Sequence, residues 1–294
     1  MIAVPDLGAA RPLLGVSLQP DPAFLHHNRA LLAERAELFE VTPETVWRAG
    51  ALPGPRHAEL LSLVRAAGRP VTGHGVLFGL GAAPPDRRAA WLAGLRRDRD
   101  AFGFAWFSEH LGWADHAGAH SALPLPLPPT EEAAATVAAS LAELRAVTPI
   151  VAFENNADLF CLGEPLQQTE LFAAVCERAD AFLVLDLHNA FAFCRNLGVE
   201  LDAFLERVPW QRVLEIHLSG GNESDPDWLA SRRVLRLDSH DGAVPETVWR
   251  AFERSLPRAP NLRAVVLEWL PDGFGAGEAA VLAADFERAR AMLC

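Results

Sequence analysis

Short, nearly continuous apolar runs recur along the chain, and most are followed by a longer segment of helical character. The runs are 13–19 (LLGVSLQ), 38–44 (LFEVTPE), 70–78 (PVTGHGVLF), 106–113 (WFSEHLGW), 150–156 (IVAFENN), 181–189 (AFLVLDLHN), 213–221 (VLEIHLSGG) and 264–270 (AVVLEWL). A strand with one wet face alternates polar and apolar residues, so runs this uniform suit parallel strands covered on both faces. The helical segments are 24–37, 54–68, 86–102, 130–146, 166–178, 199–207, 243–255 and 276–292. Thr130 ahead of Glu131 and Glu132 places a capping hydroxyl and acidic residues in a first turn. Pro245 and Glu246 open another helix in the same spirit. Eight strand–helix units in 294 residues predict an α/β fold, a closed (β/α)8 barrel. An open doubly wound sheet is disfavoured, because no Gly-x-Gly-x-x-Gly follows the first run. No low-complexity linker divides residues 1–294, which read as a single domain, and the proline-rich stretch 121–130 reads as an active-site loop.

Composition narrows the chemistry. Lysine and tyrosine are absent, which excludes Schiff-base chemistry, a lysine base, a tyrosine acid and a Walker-type phosphate loop. The net charge of −12 argues against broad nucleic-acid binding, which depends on neutralising phosphates. Arg87, Arg88, Arg96, Arg97 and Arg99 read as the solvated face of a helix. No apolar run approaches the ~20 residues of a membrane span, and the N-terminus lacks the basic start and apolar core of an export signal. Cys161, Cys176, Cys194 and Cys294 are scattered without metal or redox spacing. They read as reduced thiols of a cytoplasmic protein, the first three in packing roles.

The ends of the apolar runs carry the ionisable residues. They are His74, then Glu109 and His110, then Glu154 and Asn155, then Asp186, His188 and Asn189, then His217, and finally Glu268; the stretch after the seventh run adds Asp238 and His240. In a barrel, strand C-termini form the mouth where active sites assemble. Any one of these residues alone is better explained as a hydrogen-bonded core group or a cap. Together they would repel one another unless a multivalent cation neutralised them. His, Asp and Glu without cysteine suit iron, manganese or zinc. The candidates outnumber the roughly four to six ligands of one ion, so the site reads as multinuclear, with a carboxylate such as Glu154 able to bridge. Strand period puts Asp186 and His188 on one face, and Asn189 joins them only if the strand curls; which of His188 and Asn189 faces the metal stays open. His110 is favoured as a ligand, with the adjacent Glu109 as its support or a barrel-interior partner.

These residues lie in segments that resemble the DUF692 family, the multinuclear non-heme iron-dependent oxidative enzymes. The resemblance runs from GVSL near residue 15 through the last strand. It is carried by HGVLFGLG (74–81), SEHLGW (108–113), LPLPLPPTEEA (123–133), FEN (153–155), LDLHN (185–189), IHLSGG (216–221), LDSHDGAVPETVW (237–249) and LEW (267–269). It implies a xylose-isomerase-like TIM barrel with two or three iron ions, mixed ferrous and ferric, and dioxygen as co-substrate. Matched residue by residue, the ligands it implies are His74, His110, Glu154, Asp186, Asn189, His217, Asp238, His240 and Glu268. Of these, Glu154, Asp186, His217 and Glu268 are implied to hold the ferrous ion that meets dioxygen. Glu109, Asn155, His188 and Asp241 would support those ligands or meet substrate. The implied reaction is oxidation of a residue, often cysteine, in a ribosomally made precursor peptide whose leader a separate partner protein captures. The chain departs from the family pattern at His188, where asparagine is usual, at Asn156-Ala157-Asp158, and at His116 and His120. Two other readings stand beside this one: a zinc or manganese barrel of the apurinic endonuclease or sugar isomerase type, and a non-catalytic binding protein stapled by metal.

Overall fold

A computed structural model describes residues 3–82, 85–116, 119–270 and 272–294. Eight strands, β1 (Leu13–Leu18), β2 (Leu38–Val41), β3 (Val71–Gly75), β4 (Phe107–His110), β5 (Val151–Glu154), β6 (Phe182–Asp186), β7 (Val213–Leu218) and β8 (Ala264–Leu267), pair in parallel in chain order. β1 pairs with both β2 and β8, which closes the barrel. The helices are α1 (Pro22–His27), α2 (His57–Ala67), α3 (Pro85–Phe102), α4 (Glu131–Arg145), α5 (Gln168–Ala179), α6 (Leu187–Leu197), α7 (Leu201–Leu205), α8 (Glu246–Ser255) and α9 (Ala276–Leu293). The expected (β/α)8 architecture is therefore present. Among the described residues, no helix is long and apolar enough to cross a membrane.

Strand alternation sorts side chains into two cores. Outward residues such as Val16, Phe39, Leu183, Ile216 and Val265 pack under the helices. Inward residues Leu38, Trp106, Ala152, Phe182, Val184, Leu214, Ala264 and Val266 fill the lower barrel, with Val4, Leu7 and Leu13 packed against them. The valine, leucine and phenylalanine side chains among them contribute about 1.5–3 kcal/mol each on burial. Above this plug the inward positions turn polar, with Glu40, Thr72, His74, Ser108, Glu154, Asp186, Glu215 and His217 all buried. One irregularity sets that phase. Leu183 pairs with Val213 but Val184 pairs with Glu215, so Leu214 is an extra residue in β7. The bulge brings Glu215 and His217 into register with Val184 and Asp186.

Four readings of the sequence need correction. Segment 24–37 is not one helix: α1 ends at His27, where the Asn28 side chain bonds back to the Phe24 carbonyl, and a separate wide helical turn covers Leu31–Arg35. Run 181–189 does not continue as a strand past Asp186; the Asp186 carboxylate accepts the Asn189 backbone N–H at 2.6 Å and starts α6, a helix that periodicity missed. The Arg87–Arg99 cluster is not merely a solvated face. Arg87 donates to the Leu77 and Phe78 carbonyls, Arg88 to Glu143, Arg97 to the Ala51 carbonyl and Arg99 to the Val147 carbonyl, tying α3 to its neighbours. Finally, part of the 121–130 stretch is strand: Ala119–Leu125 pairs with Trp113–His116 as a hairpin at the mouth. The side chains of His116 and His120 lie outside the described residues.

Candidate metal centre at the barrel mouth

His74 and His110 are held in the same way. The Ser108 hydroxyl donates to the Gly73 carbonyl at 3.3 Å, so toward His74 Nδ1, 2.9 Å away, it is an acceptor. Asn156 donates its amide to the Leu111 carbonyl, so the oxygen it presents to His110 Nδ1 at 2.8 Å also accepts. Both imidazoles therefore carry their proton on Nδ1. Their Nε2 atoms point inward, 3.3 and 3.1 Å from Glu154 Oε2. Outer partners that fix the tautomer and aim the free nitrogen are the usual support of a metal-binding histidine.

Glu154 is the hub. Its Oε2 faces His74 and His110, and its Oε1 lies 3.1 Å from His217 Nδ1. His217 Nδ1 is 3.3 Å from Glu268 Oε2, and Glu154, Asp186, His217 and Glu268 offer ligand atoms within 4.8 Å of one another. His74, His110 and Glu154 form a second such group. Burial alone would raise the Glu154 carboxyl, but His110, His217 and His74 outweigh it and hold the group below its usual range. Asp186 goes the other way: burial, then Glu154, Asp238 and Glu268, push it well above the usual range. Glu154 Oε2, Asp186 Oδ2, Asn189 Oδ1, Asp238 Oδ1 and His240 Nε2 are buried without hydrogen-bond partners. Orphaned polar atoms this close, the four acceptor oxygens above all, cost roughly 1–3 kcal/mol each unless something cationic satisfies them. The donor set fits metal ions.

Asp238 and His240 arrive on the segment after β7. His240 Nε2 lies 3.0 Å from Asp238 Oδ1 and 3.4 Å from Glu268 Oε2. The segment crosses the strand end closely, and two glycines permit it: a Cβ on Gly220 would sit 2.2 Å from the Ala243 carbonyl oxygen, and one on Gly221 2.4 Å from that of Leu237. His240 adopts a left-handed backbone, φ 48°, and its carbonyl accepts from Leu270 N. A non-glycine residue in that region costs on the order of 1–3 kcal/mol, a strain that tends to collect at functional sites.

The supporting residues divide. Asn155 clips the ends of β5 and β6 together, its amide donating to the Asp186 carbonyl at 3.0 Å and its oxygen accepting from Asp186 N at 2.9 Å. Asn189 donates to the Asn155 carbonyl, leaving its own oxygen for the centre. Glu109 is not a barrel-interior partner: next to inward His110, it must face outward, where it accepts the Phe78 and His110 N–H groups. Asp241 is exposed and accepts from Ser239 and Asn222. Sequence reasoning missed Glu40 and Glu215. His217 Nε2 lies 3.2 Å from Glu40 and 3.9 Å from Glu215, whose other oxygen accepts from Trp106 at 2.7 Å. An acid at an inward strand position was the available signal. Beside the centre, a cleft of about 330 Å³ is lined by His110, Asp238, Pro124, Leu125, Leu159 and Phe160. Leu125, Leu159 and Phe160 are 42, 45 and 50 % exposed, an apolar rim touching the two candidate ligands.

A UPF0276 protein of Caulobacter vibrioides is 35% identical over 236 residues, covering 79% of this chain and 80% of its own. One from Caulobacter sp. strain K31 is 32% identical and covers 96% of both chains. In fold the chain is similar to a D-allulose 3-epimerase from Methylomonas sp., at a TM-score of 0.61 and 13% identity over 96% of this chain and 97% of that one. A D-psicose 3-epimerase from Clostridium cellulolyticum H10 gives 0.56 and 12% over 96% of each. The model of the RiPP precursor modification enzymes MbnB/TglH/ChrH matches residues 14–294, and the chain belongs to that family.

Proposed function

We propose that this single-domain chain is an iron-dependent, dioxygen-using enzyme that oxidises a residue, cysteine by preference, in a ribosomally made precursor peptide. The observation that carries it is the set of buried, inward-aimed, unpartnered His, Asp, Glu and Asn atoms around Glu154, in a chain of a peptide-modifying family. Nitrogen and oxygen donors without cysteine suit iron. One ion would be held by His74, His110 and Glu154, a second by Glu154, Asp186, His217 and Glu268, and a third position by Asn189, Asp238 and His240. Iron, when bound, would supply the electron-transfer chemistry with dioxygen that these side chains lack.

The chain's own contribution is placement. Ser108 and Asn156 keep the Nε2 atoms of His74 and His110 turned inward. Asn155 keeps Asp186 at the rim. The apolar rim offers a peptide side chain somewhere to bury while the adjoining residue enters the bowl, so proximity does much of the work. In this reading a separate partner protein captures the leader of the precursor peptide. The test is elemental analysis of protein purified without added metal or chelator, followed by oxygen uptake with a cysteine-containing precursor peptide. More than one iron per chain is expected; stoichiometric zinc or manganese that persists through anaerobic iron reconstitution would overturn the proposal.

A further inference from the structure

We propose that His188 is a positioning residue for Asp238 and not a metal ligand, because Arg236 fixes it in the tautomer that turns a proton, rather than a lone pair, toward the centre. His188 is fully buried in the first turn of α6, two residues past Asp186. Its Nε2 receives the Arg236 Nε–H at 3.0 Å. A guanidinium has donors only, so His188 Nε2 must be the acceptor, and a neutral imidazole then carries its one N–H on Nδ1. Nδ1 has no hydrogen-bond partner and faces Asp238 Oδ1 at 3.7 Å, an atom likewise without one. This is the reverse of His74 and His110, whose outer partners accept and so leave the inner nitrogen bare.

Arg236 is itself anchored to α6. Its backbone N–H donates to Asn196 Oδ1 at 2.8 Å and its carbonyl accepts from Asn196 Nδ2 at 2.9 Å. Its guanidinium lies 5.8 Å from the Phe191 ring, and Arg195 on the same helix pairs with Glu223. The segment bearing Asp238 and His240 is thus docked on α6, and the His188–Arg236 bond is the anchor nearest the ligands. Across 3.7 Å, longer than a hydrogen bond, the Nδ1–H acts on the Asp238 carboxylate through its dipole, beside His240 Nε2 at 3.0 Å from the same oxygen.

Only the metal readout below rests on the metal-centre reading; the tautomer does not. In full-length, chelator-treated protein with ¹⁵N-labelled histidine, long-range ¹H–¹⁵N correlation is expected to show His188 protonated on Nδ1. Arg236→Met should release it to the Nε2–H form. A wild-type His188 protonated on Nε2 or on both nitrogens, or an unchanged tautomer in Arg236→Met, overturns the proposal. In metal-loaded protein, His188→Leu should weaken one ion's retention against chelator by about 10–100-fold. His188→Asn, whose amide N–H sits close to the place of Nδ1, should stay close to wild type; if it loses as much metal as His188→Leu, His188 is a ligand and the proposal fails. A wild-type protein that retains no metal would sink the proposed function while leaving the tautomer test intact.

Discussion

Replacing Asn155 with alanine should cost both stability and metal. The Asn155 side chain stands where the next residue of β5 would pair with Asp186, exchanging two hydrogen bonds with the Asp186 peptide. Asn155 is 2 % exposed, and water cannot readily take over those bonds. Losing one net hydrogen bond costs about 1 kcal/mol, and leaving the Asp186 N–H buried without a partner adds roughly 1–3. The sum is about 2–4 kcal/mol, or a melting-point drop of roughly 3–6 °C for a chain of this size. Asp186 also loses the clip that holds it against Glu154, so iron retained per chain should fall in the same variant. Asn155→Asp separates the terms. One carboxylate oxygen can still accept from Asp186 N, but the other would face the Asp186 carbonyl. The repulsion raises that carboxyl's folded pKa, so its destabilisation should be small in acid and grow as pH rises. Calorimetry with elemental analysis checks both variants. A loss below about 0.5 kcal/mol in Asn155→Ala with full metal content would refute the reasoning.

Glu154→Ala removes the carboxylate shared by two ligand groups and should strip iron from both, abolishing oxygen uptake; full iron content and turnover would contradict the hub role. Gly221→Ala forces a methyl against the Leu237 carbonyl and His188, and should cost about 1–3 kcal/mol while releasing the ion nearest Asp238 and His240 before the one nearest His74 and His110; uniform release would argue otherwise. Burial pushes the Cys176 and Cys194 thiols up to about 12, so at pH 8 only about one part in ten thousand is thiolate. Thiol titration of the native protein should therefore find exposed Cys294 first and Cys161 slowly, with the other two reacting only on unfolding.

The barrel was legible because burial on both strand faces leaves a compositional mark, and so was the mouth, because strand ends must meet there. What periodicity could not show is what one side chain does to its neighbour's backbone. Asp186 was readable as a strand-end acid, but its oxygen also caps the Asn189 N–H and converts the run's last residues to helix. That turn separates His188 from Asn189, a choice strand alternation left open. Glu40 and Glu215 were hidden by their settings: an acid within LFEV or VLEIHL looks like a strand residue until closure of the barrel shows that it points inward. The arginines of α3 were misread because their carbonyl partners lie on other elements.

The charge balance of the mouth makes a final demand. Without an ion, the chain can hold these groups together only by retaining protons. Burial works against charge on His240, but Asp238 and Glu268 outweigh it and raise the imidazole to about 10. Glu268, Glu40 and Glu154 do the same for His217, which sits well above its usual range. Asp186 is raised as well, first by burial. Near neutral pH the two imidazoles carry protons that a metal must displace, since ligation needs the bare nitrogen, and the raised Asp186 carboxyl holds its proton to higher pH than an ordinary aspartate. The sign follows: a group whose pKa is raised in the metal-free chain competes with the ion below that pKa, so affinity climbs with pH until the group would have lost its proton anyway. An ordinary histidine, near 6.5, stops competing by about pH 7.5. His240 should go on competing up to about 10. Calorimetric titration in buffers of different ionisation enthalpy should therefore record proton release on metal binding at pH 8, with affinity still rising between pH 7 and 9, about tenfold per pH unit for each displaced proton. A flat affinity over that interval, with no proton released, would mean that the ions do not bind to these side chains.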